Sequence, residues 1–206
     1  MAAALFIVSA PSGAGKTSLV NALVTSLDQV VPSISYTTRP PRPGERDGAD
    51  YHFISMAEFE RMISAGAFLE HAQVFGNRYG TAQATVAAEL AAGRDVVLEI
   101  DWQGARQIRA RMPESVSIFI LPPSLPELER RLRSRESDDP ETIRRRLDEA
   151  AAEMSHYPEY DYVIVNAVFE RALPDLQSII RAQRLRRARQ QATGQLPPIM
   201  APPAGV

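Results

Sequence analysis

The sequence has no cysteine and only one lysine. Because none of the 206 residues is a cysteine, disulfide bonds and thiolate metal sites are excluded. No apolar run approaches the roughly 20 residues of a membrane-spanning helix. Residues 1–4 lack the basic charge that begins a secretory signal. We therefore expect a soluble cytoplasmic protein that does not bind a membrane.

A strong net charge is also lacking. The formal charge of −2 argues against a general nucleic-acid-binding protein. The three histidines are scattered along the chain, so we expect no zinc site. The hydrophobic fraction of 45% is ordinary for a globular protein. A chain of this length is expected to form one main core and can carry a small inserted subdomain.

A phosphate-binding motif lies near the start of the chain. Residues 5–8 are apolar and predict a buried strand, and the apolar periodicity of residues 19–27 predicts a helix. The turn between them ends in Gly-Lys-Thr, as in loops whose backbone N–H groups surround phosphate oxygens. We call residues 10–17 the phosphate loop. With the residue after it, the predicted binding residues are Ala10, Pro11, Ser12, Gly13, Ala14, Gly15, Lys16, Thr17 and Ser18.

Two residues of the phosphate loop are unusual. Lys16 is the only lysine among 23 lysine and arginine residues, and a compact ammonium suits a position between phosphates. Compositional drift that spared one lysine is the alternative explanation. Ala10 stands where the motif usually has glycine, so the loop needs Ala10 at a negative φ. A plain strand–turn–helix with a chance Gly-Lys-Thr is the alternative to the whole motif.

The rest of the chain alternates strands with helices. This order predicts an α/β fold of the phosphate-loop NTPase kind, a mostly parallel sheet with helices on both faces. The composition of residues 191–206 predicts a disordered tail. Strands are predicted at residues 30–35, 96–101, 117–121 and 162–165, and helices at residues 82–92, 104–112, 124–135, 141–156 and 170–190.

Residues 36–80 differ in character and predict a small inserted α+β lobe. The first part, residues 36–48, is dense in proline, glycine and arginine, which predicts a loop held in one shape. Ser55 is a predicted helix cap with Glu58 at the capping-box position. The predicted elements are a strand at 51–54, a helix at 56–65, a strand at 68–74 and a turn at 76–81.

This lobe also contains a candidate for a second phosphate site. Arg39 and Arg42 are separated by two prolines, and Tyr51 and Tyr79 belong to the same lobe. A guanidinium group can donate two parallel hydrogen bonds to the oxygens of one phosphate, and phenol hydroxyls can add further hydrogen bonds. A solvated basic loop is the alternative.

Taken together, these motifs resemble those of guanylate kinases of the bacterial type. The resemblance implies the reaction ATP + GMP ⇌ ADP + GDP with Mg²⁺, with dGMP as a further acceptor. It implies a core of residues 1–35 and 81–190, a GMP-binding lobe of residues 36–80 and a helical lid at about residues 124–156, and it leaves a homo-oligomer open. The matching segments are residues 10–17, 35–45, 50–53, 79–81, 98–104 and 164–166.

The resemblance also implies roles for residues on the GMP side. Glu70 would accept hydrogen bonds from N1–H and N2–H of guanine, a pair of donors that adenine lacks. An ordinary exposed strand carboxylate is the alternative for Glu70. The other implied contacts are Arg39, Arg42, Tyr51 and Tyr79 to the GMP phosphate, Ser35 and Thr81 to the guanine O6, and Asp101 to the exocyclic amine.

On the ATP side, the resemblance implies that lid arginines stabilise the transferred phosphoryl group. Asn166 would contact the nucleotide near adenine, although Ala167 stands where an acidic residue is common. Thr17 would reach Mg²⁺, with Glu99, often an aspartate in the family, and Asp101 contacting it through water. The implied catalytic residues are Lys16, Arg39, Arg131, Arg135 and Arg146.

Two other functions stay open at this point. Guanylate-kinase-like domains that have lost catalysis bind phosphopeptides, but they typically lack an intact phosphate loop, so Lys16 and Thr17 favour an enzyme. A kinase for AMP or another monophosphate is the second alternative. Glu70 together with Thr81 favours guanine.

Overall fold

The computed structural model describes residues 3–74, 76–134 and 140–197. Within these residues the strands are β1 Leu5–Ser9, β2 Val30–Pro32, β3 Tyr36–Thr37, β4 His52–Phe53, β5 Phe68–Val74, β6 Asn77–Ala82, β7 Asp95–Glu99, β8 Val116–Leu121 and β9 Tyr162–Val165. The helices are α1 Lys16–Ser26, α2 Met56–Ser64, α3 Gln83–Ala91, α4 Trp102–Arg111, α5 Leu125–Arg133, α6 Pro140–Met154, α7 Phe169–Arg184 and α8 Arg187–Ala192.

The central layer is a parallel sheet of five strands in the order β2-β7-β1-β8-β9. Every residue of β1 is buried, as expected for the middle strand of a sheet that is covered on both faces. The predicted parallel α/β fold is thereby confirmed. None of the described helices has the length and apolar character needed to cross a bilayer.

Alternating residues of β1 belong to two separate apolar clusters. Phe6 and Val8 pack with residues of α1 and α7 on one face of the sheet. Leu5 and Ile7 pack with residues of α3 and α4 on the other face. Because successive strand side chains point to opposite faces, one short apolar run anchors helices on both sides. The phosphate loop therefore follows a strand that is buried on both faces of the sheet.

A second sheet has four strands in the order β4-β3-β6-β5 and contains the two strands predicted within residues 36–80, β4 and β5. β3 forms at the start of residues 36–48, which the sequence predicts as a loop. The turn predicted at residues 76–81 is wrong, because residues 77–82 form β6, which pairs antiparallel with both β3 and β5. Ser55 caps α2 as predicted, because its hydroxyl accepts a hydrogen bond from Glu58 N.

The last predicted helix, residues 170–190, is divided into α7 and α8. Both helices reach the buried carboxylate of Asp95: Arg184 Nε lies 2.9 Å from one oxygen and Arg189 Nη2 lies 2.7 Å from the other. A break between the helices lets both arginines converge on this carboxylate. α8 ends within the stretch predicted as a disordered tail, and residues 198–206 of that prediction lie outside the described residues.

Candidate active site

The phosphate loop is held in shape by its neighbours. Gly13 and Gly15 have φ angles of 90° and 92°, in the left-handed region that favours glycine. A Cβ atom at Gly15 would lie 2.5 Å from Asn166 Nδ2, and one at Gly13 would lie 2.9 Å from Leu128 Cδ1. Both glycines are therefore required by conformation and by space. Among the described residues, Gln29 alone combines a side chain with a positive φ, so Ala10 meets the condition set for it.

Asn166 supports the phosphate loop from the end of β9. Its side chain is buried, and Nδ2 donates a hydrogen bond of 2.8 Å to Ala14 O. Its own carbonyl oxygen accepts a hydrogen bond of 3.0 Å from Arg131 Nη2. The structure thus places Asn166 against the loop backbone, and the expected contact with the adenine side stays a prediction.

Thr17 connects the phosphate loop to the end of β7. Its hydroxyl donates a hydrogen bond of 3.0 Å to Glu99 Oε2. A hydroxyl beside a carboxylate fits Mg²⁺, which prefers oxygen ligands and retains several waters. The described residues contain no group of three acidic, histidine or cysteine side chains that could hold a metal alone. A bound Mg²⁺ would therefore need further oxygen ligands from nucleotide phosphates and water.

The predicted lid arginines differ in how the structure places them. Arg131 lies on α5, where Nε donates to Glu127 Oε1 at 2.9 Å, and its contact with Asn166 brings it next to the phosphate loop. Arg146 lies half-buried on α6. Arg135 lies outside the described residues.

In the second sheet, Arg39 is held by a carboxylate and by aromatic rings. Arg39 Nη2 contacts both oxygens of Glu45 at 2.8 and 2.9 Å, and the guanidinium carbon lies 5.4 Å from the centroid of the Tyr51 ring. The Arg39 hydrogen bond lowers the pKa of Glu45. Glu45 also accepts a hydrogen bond of 2.7 Å from Arg42 N, which joins the two predicted phosphate-binding arginines.

Tyr51 and Tyr79 lie beside this arginine pair. Their ring centroids are 6.0 Å apart in an edge-on arrangement. Burial raises the pKa of Tyr51, and the negative charge of Glu99 contributes to the same shift. The structure therefore brings Arg39, Tyr51 and Tyr79 together. The Arg42 side chain is exposed, and Ser35 lies at the start of β3, where its carbonyl accepts a hydrogen bond of 2.9 Å from His52 N.

Glu70 is a buried carboxylate on β5. Its side chain is only 3% exposed, so the alternative of an ordinary exposed strand carboxylate is wrong. Thr81 Oγ1 donates a hydrogen bond of 2.6 Å to Glu70 Oε1. Burial raises the pKa of Glu70 to about 7, and the charge of Asp101 adds to the rise. Asp101 caps α4, since its Oδ1 accepts a hydrogen bond of 2.9 Å from Gly104 N.

The end of β7 lies between the two groups of predicted site residues. Glu99 binds Thr17 of the phosphate loop, and its charge also reaches Tyr51. Asp101, two residues later, acts on the pKa of Glu70. A loop shaped for phosphates and a buried carboxylate therefore meet at the same edge of the parallel sheet, where ligands bind in such folds.

Comparison with known proteins agrees with this arrangement. The family model described as guanylate kinase matches residues 2–183. The chain belongs to the guanylate kinase family. It is similar to the guanylate kinase of Alkalilimnicola ehrlichii, with 60% identity over 191 residues, which are 93% of this chain and 94% of the relative. The guanylate kinase of Escherichia coli O157:H7 is 59% identical over 91% of both chains.

A solved structure of this family has the same overall fold. The crystal structure of guanylate kinase from Anaplasma phagocytophilum superposes with a TM-score of 0.75 at 38% sequence identity. The match covers 91% of this chain and 88% of that one. The resemblance to guanylate kinases inferred from the sequence motifs is confirmed, and the roles of single residues stay predictions.

Sequence reasoning missed one side chain at the guanylate kinase phosphate loop. Glu153 of α6 accepts a hydrogen bond of 3.3 Å from Ser12 N. Burial raises the pKa of Glu153, and the positive charge of Lys16 partly opposes this rise. The sequence offered no signal for it, because one glutamate in a charged helix resembles a solvent-facing residue.

Proposed function

We propose that this chain acts as a guanylate kinase, which transfers the terminal phosphoryl group of ATP to GMP, and also to dGMP. The observation that carries the proposal is that β7 ends between a phosphate loop and a buried carboxylate on a neighbouring sheet. Family membership supports the same reaction. Both nucleotides are abundant in the cytoplasm, where we expect the enzyme to act.

The phosphate loop binds ATP in this proposal. Backbone N–H groups of the loop and the positive end of α1 face the phosphates, and Lys16 supplies a mobile positive charge. Thr17 would hold Mg²⁺, and Glu99 and Asp101 would contact it through water. The metal, when bound, neutralises charge that develops on the phosphates.

The second sheet binds GMP. Arg39, Arg42, Tyr51 and Tyr79 hold the GMP phosphate, and Glu45 keeps the Arg39 guanidinium in place until that phosphate arrives. The attacking group is already a phosphate oxygen, so the reaction needs positioning and charge stabilisation rather than a strong general base.

Guanine is recognised by its hydrogen-bonding edge. An ionised Glu70 accepts from guanine N1–H and N2–H, while Ser35 and Thr81 face O6 and Asp101 faces the amine. Adenine presents an acceptor at N1, which would leave the buried carboxylate unpaired. Sites that depend on such paired hydrogen bonds discriminate by about 10⁴-fold or more.

The lid arginines complete the site. Arg131 already lies against the phosphate loop through Asn166. We propose that Arg131, Arg135 and Arg146 stabilise the transferred phosphoryl group when the lid closes. Closure also excludes water, which would otherwise hydrolyse ATP.

A coupled assay of ADP release tests the proposed function. Purified enzyme with ATP and Mg²⁺ is offered GMP, dGMP, AMP, CMP or UMP in parallel. We expect GMP to give the highest kcat/KM, with dGMP next, and AMP to have a kcat/KM lower by about 10⁴-fold, the discrimination that paired hydrogen bonds allow. Faster turnover with AMP than with GMP would show that the base-reading assignment is wrong.

A further inference from the structure

The strand that bears Glu70 lies at the edge of its sheet. β5 pairs with β6 on one side only, and its pairing register shifts between Phe68 and Glu70. Such a bulge changes the direction of side chains locally. The direction of the Glu70 carboxylate therefore depends on what contacts the other side of β5.

Helix α4 makes that contact through two long side chains. Arg111 Nη1 donates to Phe68 O at 3.1 Å and to Leu69 O at 2.5 Å. The side-chain amide of Gln107 donates to His71 O at 2.8 Å and accepts from His71 N at 3.2 Å. The backbone of β5 is thus fixed by hydrogen bonds immediately before and immediately after Glu70.

A glycine of the same helix leaves room for the carboxylate itself. A Cβ atom at Gly104 would lie 2.5 Å from Glu70 Oε2 and 3.1 Å from its carboxyl carbon. At 100° per residue, Gly104, Gln107 and Arg111 lie within about 60° of one another around the helix. They form one face of α4, which we call the β5-facing stripe.

We propose that the β5-facing stripe is a positioning device that aims Glu70 at guanine. The inference rests on the proposed role of Glu70. α4 follows directly from β7 through its cap Asp101, so the stripe ties the base-reading carboxylate to the parallel sheet. The guanine edge is then read from a fixed position relative to the phosphate loop, while Arg39 and Arg42 lie in the loop between β3 and β4.

The test compares GMP with inosine monophosphate, which lacks the 2-amino group that Glu70 would read. Gln107→Ala removes both hydrogen bonds to His71. We expect about a tenfold rise in the KM for GMP, the effect of losing hydrogen bonds that position a charged acceptor. The preference for GMP over inosine monophosphate should fall by a similar factor, and the KM for ATP should stay unchanged.

Three further variants separate positioning from stability. Gln73→Ala makes the same change of glutamine to alanine on β5 itself, at an exposed side chain with no hydrogen-bond partner among the described residues, and it should leave all three quantities unchanged. Arg111→Met removes the donor to Phe68 and Leu69 at an exposed position, while Arg111→Lys keeps a donor. We expect Arg111→Met to lose the preference for GMP over inosine monophosphate, and Arg111→Lys to keep at least part of it.

The outcomes are distinguishable. If Gln107→Ala and Arg111→Met only lower the melting temperature and keep the wild-type GMP preference, the stripe is merely structural and the inference is overturned. If the wild type itself shows no preference for GMP over inosine monophosphate, the role of Glu70 fails as well. A preference that Glu70→Gln abolishes, and that the stripe variants reduce, supports both.

Discussion

Glu70 is the residue whose ionisation most directly affects the proposed chemistry. Burial raises its pKa to about 7, while guanine recognition requires the carboxylate form. GMP binding should therefore weaken as the pH falls below about 7, because a proton then occupies the carboxylate. We expect the KM for GMP to rise as the pH is lowered from 8 to 6, while the KM for ATP changes little.

The control for this pH dependence is Glu70→Gln, which cannot ionise. Its KM for GMP should be high and nearly constant over the same range. A flat pH profile in the wild type, measured by steady-state kinetics in one mixed buffer, would contradict the assigned role.

The same burial has a consequence for stability. The pKa of Glu70 is higher in the folded protein than the ordinary value of 4.5, so folding favours the protonated form. The contribution of Glu70 to stability is fully present below about pH 4.5 and is lost as the pH rises from there to about 7. Glu70→Gln should therefore melt at a higher temperature than the wild type at pH 8, and this difference should become small near pH 4. An equal difference at both pH values would argue against the raised pKa.

Lys16 is the second residue with a specific expectation. Lys16 is the only lysine in the sequence, which uses arginine everywhere else, and it lies in the phosphate loop. Lys16→Ala should lower kcat/KM by at least about 100-fold, the scale seen when one charge-stabilising donor is removed. Circular dichroism should show an intact fold, and near-normal turnover would be incompatible with phosphate binding by Lys16.

Helix α6 places the carboxylate of Glu153 beside the phosphate loop, where we expect a phosphate oxygen of ATP. Glu153 accepts from Ser12 N and lies within the field of Lys16. Glu153→Gln should lower the KM for ATP by roughly three- to tenfold, because it removes a like charge beside the phosphates.

Asp148→Asn is the matched control for this prediction. It removes one negative charge from an exposed position of the same helix. Isothermal titration with ADP and with tripolyphosphate measures the effect without turnover. Equal affinities for Glu153→Gln and wild type would show that this carboxylate does not compete with phosphate.

The sequence predicts those elements that depend on local patterns. β1, the phosphate loop and α1 follow one another along the chain, and their apolar periodicity and glycines were sufficient to predict all three. The division between α7 and α8 was not predictable, because it depends on Arg184 and Arg189 meeting Asp95 across 89 and 94 residues. β6 was mistaken for a turn because its partners determine it, and its own glycine and asparagine are typical of turns.

Asp95 joins distant segments of the molecule. It lies at the start of β7, and the active site lies at the other end of that strand. This fully buried carboxylate accepts from Ala4 N, Arg184 and Arg189. Asp95→Asn should lower the free energy of unfolding by about 2 kcal/mol, since it leaves two partly buried guanidinium groups without their carboxylate partner. Urea denaturation measures this loss.

Asp175→Asn, an exposed position on α7, should leave the free energy of unfolding unchanged. At temperatures where both variants are folded, their kcat for GMP should equal that of the wild type. A wild-type unfolding midpoint for Asp95→Asn would mean that the three contacts contribute little to stability.

The candidate site was predictable in type more than in detail. The residue types for two phosphates and one guanine edge could be read from motifs, and the structure shows Glu70 hydrogen-bonded to Thr81 and Arg39 paired with Glu45. Supporting residues such as Gln107 and Glu153 could not be found from the sequence, since their partners lie 36 and 141 residues away. Tertiary contact alone makes them part of the site.

A structure of the enzyme with ADP and GMP bound together would show whether the two phosphate sites face each other. We expect the GMP phosphate on Arg39 and Arg42, guanine on Glu70, and the ADP phosphates on the backbone of the phosphate loop, with the phosphates of the two nucleotides directed at each other. A GMP phosphate bound away from Arg39 and Arg42 would contradict this expectation.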